Sequence, residues 1–236
     1  MNRVLIMPVL AAVLFAAACD GGPTTSGTRA RVRFFNATTG MTGNGGFTAN
    51  GQFADGSALG FAGSTQTCAR VDAGSTSFGF GAANPGGYGL SGSALATLNN
   101  QTVEAGGDYT VVATGSVASP QLYLLDNSFS GSLPSGLVPF RFVNLAPGPN
   151  PLPNVFSVFA DGLPPSGTVI AIDAIVGSPT PWQAKTIGAN AFTVLVGHLL
   201  ETRTDATLDL QAGTVNTIAI VPNTSDGFQL INIPRC

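Results

Sequence analysis

The chain has 236 residues, only 9% of them are charged, and its formal net charge is −3. An average soluble domain has roughly 25% charged residues and nucleic-acid-binding proteins carry a basic surface, so we predict no nucleic-acid partner. The 31 glycines and 16 prolines are typical of turns between short strands, and dense clusters of Val, Ile, Leu and Phe exclude a wholly disordered chain.

The chain begins MNRVLIMPVLAAVLFAAAC, which is typical of a secretion leader. Arg3 supplies the positive charge, and the apolar run that follows is shorter than the about 20 residues of a membrane-spanning helix. The Ala-Ala-Ala-Cys that ends at Cys19 resembles the lipobox of bacterial lipoproteins. This resemblance implies a signal peptide over residues 1–18, cleavage before Cys19 and lipidation of Cys19. The alternative is an ordinary secretory peptide in which Cys19 is incidental.

Both alternatives send the protein out of the cytoplasm. With the lipid at Cys19, we expect a protein of the bacterial cell envelope, in the periplasm or on the cell surface, whose anchor makes the membrane a partner. Residues 19–28 have no apolar periodicity and predict a flexible tether. No later segment has the roughly 18 consecutive apolar residues of a transmembrane helix.

Three short sequences occur twice, in the same order and at offsets of 106 to 108 residues. Such matches predict a duplicated unit of domain size. We therefore predict repeats at 29–126 and 137–236, joined by a linker at 127–136. The matches are Phe-Ala-Asp-Gly at 53–56 and 159–162, Arg-Phe-x-Asn at 33–36 and 141–144, and x-x-Ala-Gly at 103–106 and 210–213.

The first strand is predicted from strict alternation. Residues 29–34 alternate Arg with Ala, Val and Phe, which indicates a half-buried strand with its arginines outside. Arg33 and its counterpart Arg141 are accordingly expected on the outer face of their strands. Each Ala-Asp-Gly predicts a hairpin turn. About seven short strands in roughly 100 residues predict an all-β fold of two tandem antiparallel, immunoglobulin-like β-sandwiches.

The motifs of the first repeat resemble a known family. R-V-R-F-x-N-A is followed by F-A-D-G, V-x-A-G and E-A-G-x-x-Y-T-V-V-A-T-G, an order similar to that of the bacterial domain of unknown function 4397. The resemblance covers 29–126 and, more weakly, 137–234. It implies tandem β-sandwich modules of secreted, surface and lipid-anchored proteins, and it brings no catalytic residue.

Two cysteines remain after cleavage before Cys19. In an oxidising compartment an even pair is usually a disulfide, so Cys68 and Cys236 are a candidate bridge that would fix the C-terminus to the first repeat. The alternative is two separate thiols, with Cys236 paired to another molecule.

The sequence offers little catalytic chemistry. His198 is the only histidine, and a hydrolytic triad needs one as its base. Asp55 and Asp161, the symmetric carboxylates, are interpreted as turn residues. Asp205 and Asp209 lack the spacing of a calcium loop. We predict no enzyme, no catalytic residue, no metal and no cofactor.

These observations predict a non-enzymatic, lipid-anchored interaction or structural module, with an envelope protein or polymer as its partner. One alternative is a glycan-binding accessory lipoprotein, with Trp182 and Tyr88 as candidate ligand contacts, because carbohydrate sites use Trp and Tyr as stacking platforms. A second alternative is a hydrolase with an unrecognised carboxylate pair, which would need two acids in one cleft.

Overall fold

The computed structural model describes residues 28–146, 156–163, 165–196, 199–223 and 227–236. The predicted signal peptide, Cys19, the tether up to residue 27 and His198 lie outside the described residues. The described residues form 17 strands and contain no helix. In that part of the chain, therefore, no helix has the length and apolarity to cross a bilayer.

The first repeat forms two sheets. The first inner sheet has the order β4-β1-β8-β9, with β5 also paired to β1, and the first outer sheet has the order β3-β2-β6-β7. The strands are β1 (Arg29–Thr39), β2 (Gly45–Ala49), β3 (Gln52–Phe53), β4 (Gly63–Ser64), β5 (Ala69–Asp72), β6 (Gly74–Ala82), β7 (Ala96–Val103), β8 (Asp108–Ser116) and β9 (Ser119–Asp126).

The second repeat has the same plan. The second inner sheet has the order β13-β10-β16-β17, and the second outer sheet has the order β12-β11-β14-β15. The strands are β10 (Leu137–Asn144), β11 (Phe156–Ala160), β12 (Thr168–Ala174), β13 (Gln183–Thr186), β14 (Gly188–Val196), β15 (Leu199–Leu210), β16 (Asn216–Pro222) and β17 (Phe228–Ile233). The all-β fold of two tandem sandwiches is thus confirmed.

One strand pair in each sandwich departs from the predicted antiparallel pattern. β1 runs parallel to β8, and β10 runs parallel to β16. Between the two members of each pair the chain crosses to the outer sheet and returns. That long crossover allows parallel neighbours, whereas a tight hairpin enforces antiparallel ones.

Two of the three sequence matches occupy equivalent positions in the two sandwiches. Arg33 and Arg141 each lie opposite a threonine of the parallel partner strand. Gly106 and Gly213 both adopt left-handed backbone conformations, with φ of 75° and 69°. Glycine takes this conformation without steric cost, which accounts for its presence before β8 and β16.

The third match, Phe-Ala-Asp-Gly, does not join equivalent positions. Phe53 ends β3, whereas Phe159 lies in β11, the counterpart of β2. The true counterpart of Asp161-Gly162 is the Asn50-Gly51 turn after β2. All four residues have positive φ, at 60° and 102° in the second sandwich and 49° and 77° in the first. Asp and Asn both tolerate that conformation. The two sandwiches therefore have the same type of turn at this position although its first residue differs.

Consecutive residues of β1 enter different cores. Phe34 packs between the sheets of the first sandwich, whereas Phe35 belongs to a third buried cluster that joins the two inner sheets. Val111 and Val112 of β8 divide in the same way, and Val143 of β10 faces them in the third cluster. The four sheets are therefore stacked in the order first outer, first inner, second inner and second outer.

The half-buried pattern predicted for β1 holds only at its start. From Val32 to Thr38 every residue of β1 is buried, because the second sandwich covers the face that the alternation assigned to solvent.

Candidate functional site at the junction of the two sandwiches

Asp108 is the centre of the junction between the sandwiches. It opens β8 and is only 2% exposed. Its Oδ2 accepts hydrogen bonds from Nη2 of Arg31 at 3.2 Å and from Nε of Arg235 at 2.8 Å, and its Oδ1 accepts one from Nδ2 of Asn127 at 3.2 Å. Because Arg235 follows the last strand of the second sandwich, this carboxylate joins the two repeats.

Asn127, the first residue of the predicted linker, is a buried node. It donates to Oγ1 of Thr110 at 2.9 Å, in addition to its bond to Asp108. Its Oδ1 accepts a hydrogen bond from Nη2 of Arg141 at 3.0 Å. The start of the connection is therefore held by side chains of both sandwiches.

Arg141 lies on the face of β10 that is turned away from the core of its own sandwich, as predicted. The first sandwich covers that face and buries the side chain. It is 5% exposed, and desolvation lowers its pKa from 12.5 to about 10 despite the nearby charge of Asp126. Its guanidinium carbon lies 4.3 Å from the centre of the Trp182 ring, and the edge of Phe129 also meets that ring at 5.8 Å between centroids. Trp182, a candidate ligand contact, therefore has one face covered by Arg141.

Arg33 is the counterpart of Arg141 and is buried in the same way. It is 6% exposed, and burial lowers its pKa while the charge of Asp108 opposes that shift. It donates to the carbonyl oxygen of Thr65 and, at 3.1 Å, to that of Arg235. A buried arginine of the first sandwich thus fixes the end of the chain.

A disulfide completes the attachment of the C-terminus. The sulfurs of Cys68 and Cys236 lie 2.07 Å apart, at a sequence separation of 168. Nη1 of Arg31 donates to the main-chain oxygen of Cys236 at 3.2 Å. The last residues of the second sandwich are therefore held on the first by a covalent bond, the ion pair between Arg235 and Asp108, and arginine hydrogen bonds to main-chain oxygens.

The carboxylates proposed as a symmetric pair lie in different sandwiches and different environments. Asp161 forms an ion pair with Lys185. Asp55 lines an open cavity of about 500 Å³ together with Asp72 and Arg70. Both Asp55 and Asp161 stand in turns, as interpreted from the sequence.

Asp205 and Asp209 are exposed on β15. Each accepts hydrogen bonds from neighbouring side chains. Hydrogen bonds from Arg203 and Thr193 lower the pKa of Asp205, the opposite of what a general acid needs. Asp209 accepts a bond from Gln211 at 2.7 Å. The described part of the chain holds no group of three or more His, Cys, Asp or Glu placed to bind a metal ion.

Tyr88, the second candidate ligand contact, presents its aromatic ring to solvent. It is 87% exposed and lies in the loop between β6 and β7. Its main-chain N–H donates to Oδ1 of Asn84 at 3.0 Å, and the N–H of Gly87 donates to the carbonyl oxygen of Asn84, so Tyr88 follows a hydrogen-bonded turn.

Sequence reasoning missed Asp108, Asn127 and Arg235. A weak signal was present: three arginines share one face of β1 in a chain with only 9% charged residues, and any of them that became buried would need a charged or polar partner. What the sequence did not supply was the partner, because Asp108 is distant along the chain and Arg235 belongs to the other repeat.

The protein therefore consists of two immunoglobulin-like sandwiches that are joined to each other through a buried polar centre. The family model for a domain of unknown function, DUF4397, matches residues 30–152. That is more than half of the chain, and the chain belongs to this family. The match covers the first repeat and the start of the second.

Other comparisons give only remote similarity. No curated protein matches the chain. A family 26 carbohydrate-binding module of Amy13K from Eubacterium rectale, solved with maltoheptaose, is 12% identical with a TM-score of 0.28, over 86% of this chain and 97% of that one. The TIE protein of Bacillus anthracis is 10% identical with a TM-score of 0.22, over 81% and 33%. At these scores neither supports a functional inference.

Proposed function

We propose that this protein is a non-enzymatic, lipid-anchored module of the bacterial cell envelope that presents a rigid interaction or structural surface. The observation that supports this proposal most directly is the junction. Four of the chain's nine basic residues take part in it: Arg31, Arg33, Arg141 and Arg235.

Buried ion pairs and polar networks contribute little net stability, because desolvation offsets their attraction. Their geometry is nevertheless demanding, since a charge buried without its partner is costly. A junction built in this way favours one orientation of the sandwiches over others. A fixed orientation suits a spacer or docking module, whose task is to hold a surface at a defined place.

The anchor gives the first test of this function. Cys19→Ser is expected to move the protein from the membrane fraction to the soluble extracytoplasmic fraction of the native organism, and to abolish incorporation of labelled fatty acid, because the thiol is the acceptor of the lipid. Ser26→Ala, a change in the same tether, serves as the matched control and should stay in the membrane fraction. A wild-type protein that is itself soluble and unlabelled would refute the anchor.

A glycan-binding role is the second candidate, and the exposed ring of Tyr88 favours it. An 87% exposed tyrosine next to a hydrogen-bonded turn is suited to stacking on a sugar ring. If this is the function, peptidoglycan or envelope polysaccharide retains the wild type, and Tyr88→Ala reduces retention at least tenfold while the melting temperature stays unchanged. Equal retention of the two proteins, or none, would exclude Tyr88 as a sugar platform.

A further inference from the structure

Two arginines stand directly opposite each other on neighbouring strands of the first inner sheet. Arg31 of β1 is the register partner of Arg70 of β5 in their antiparallel ladder. Like charges in this position destabilise a sheet. Arg31 turns its guanidinium to the buried Asp108, but Arg70 is exposed and has no ion pair among the residues that the structure describes.

The neighbours of Arg70 enlarge the positive surface. Arg29 lies two residues before Arg31 on the same face of β1, and its ion pair with Asp72 at 2.8 Å leaves both side chains at least half exposed. Arg29, Arg31 and Arg70 line an open depression of about 280 Å³. Arginine presents a planar fork of donors that matches phosphate oxygens, so the chemistry of this depression suits a phosphate group.

The depression itself is lined by three arginines and no acid. The acids nearby are engaged with arginines or lie outside it: Asp72 pairs with Arg29, and Asp108 pairs with Arg31 and Arg235. Asp55 lines the neighbouring cavity, which Arg70 and Asp72 share. Arg70 is therefore the arginine of the depression whose guanidinium is left for an anionic ligand.

This end of the sandwich is also where the chain enters the fold. β1 begins at Arg29, and the residues between Cys19 and Arg29 can span at most about 35 Å when fully extended. With Cys19 held in a membrane, the depression lies within that distance of the lipid surface. A site of low affinity is then sufficient, because the lipid anchor already holds the protein at the membrane and makes the contact between the depression and the headgroups intramolecular.

We propose that the depression formed by Arg29, Arg31 and Arg70 binds the phosphate headgroups of anionic phospholipids and holds the first sandwich against the membrane. The inference rests on the proposed lipid anchor for its biological setting. It explains the opposed pair Arg31 and Arg70, whose repulsion an anionic surface relieves, and it places the arginine-lined depression at the membrane.

Vesicle binding tests the site without the anchor. A chain that starts at Asp20 keeps every described strand, both cores and the disulfide, which all lie within residues 28–236. It is sedimented with phosphatidylglycerol–phosphatidylcholine vesicles and with phosphatidylcholine vesicles alone. Arg70→Ala should weaken association with the anionic vesicles about fivefold, since each basic residue near a charged surface contributes about that factor. Asp72→Asn should strengthen it by a similar factor.

Arg203→Ala is the matched control. Arg203 is a half-exposed arginine of the second outer sheet, and its removal makes the same change in net charge. The proposal predicts wild-type association for this variant, no binding to the neutral vesicles, and loss of binding at high salt. It is overturned if the anionic vesicles bind nothing, or if Arg203→Ala weakens association as much as Arg70→Ala does.

Inorganic phosphate separates a lipid surface from a free-phosphate site. If phosphate alone saturates the depression, as seen by chemical-shift changes centred on Arg70, while vesicles do not bind, the membrane proposal is wrong. Failure of the anchor would be seen separately, in the fractionation of Cys19→Ser and wild type, because the vesicle assay contains no lipidated Cys19.

Discussion

Replacing Cys68 and Cys236 together by serine should lower the free energy of unfolding by about 3–5 kcal/mol. The bridge closes a loop of 168 residues, which in the chain-entropy model restricts the unfolded chain more than a short loop would. For a protein of this size the melting temperature should fall by on the order of 10 °C. Thermal and urea unfolding of the wild type and the double variant measure the change.

The single cysteine variants are the controls for this experiment. Cys68→Ser should lose as much stability as the double variant, because one remaining thiol cannot form the bridge. Reduced wild type should melt with the variants. An unchanged melting temperature, together with two titratable thiols in untreated wild type, would contradict the disulfide.

The second large effect is expected at Asp108. Asp108→Asn should cost about 3 kcal/mol, because it leaves Arg31 and Arg235 beside a buried site without their counter-charge. The cost falls below that of a wholly buried triad since both arginines are partly exposed, at 47% and 36% of their side chains. Denaturant unfolding of the variant gives the value.

Asp72→Asn is the matched control for this prediction. It makes the same chemical change in an acid that also pairs with an arginine, but Asp72 is 78% exposed, and exposed ion pairs contribute little. We expect a change below about 0.5 kcal/mol. Equal losses in the two variants would show that Asp108 is not the centre of the junction.

The fold was largely predictable because alternation and turn residues are local signals. The arginine alternation of β1, the glycines at 106 and 213, and the recurrence of Arg-Phe-x-Asn led to two similar all-β repeats. The mistaken alignment of Phe-Ala-Asp-Gly has a physical cause: a positive-φ turn accepts Asn50 as well as Asp161, so identity of letters is a weaker guide than the conformation that the turn requires.

The junction was not predictable because its partners are distant in sequence and its determinants are not periodic. Alternation assigns the arginine face of β1 to solvent, and only the packing of the second sandwich converts that face into a core. Asp108 and Arg235 are 127 residues apart, and nothing local marks them as partners. The sequence left Cys68 and Cys236 with two alternatives, because nothing local shows that the end of the second sandwich returns to the first, where the two sulfurs are bonded.

We infer that the two sandwiches form one rigid unit. Backbone residual dipolar couplings, measured for amides of both inner sheets in a weakly aligned sample, report whether the sandwiches keep one orientation. If the junction is rigid, one alignment tensor fits the couplings of β1 and β8 together with those of β10 and β16. Two tensors of different magnitude, each fitting only its own sandwich, would show that the sandwiches move independently and that the junction does not fix their orientation.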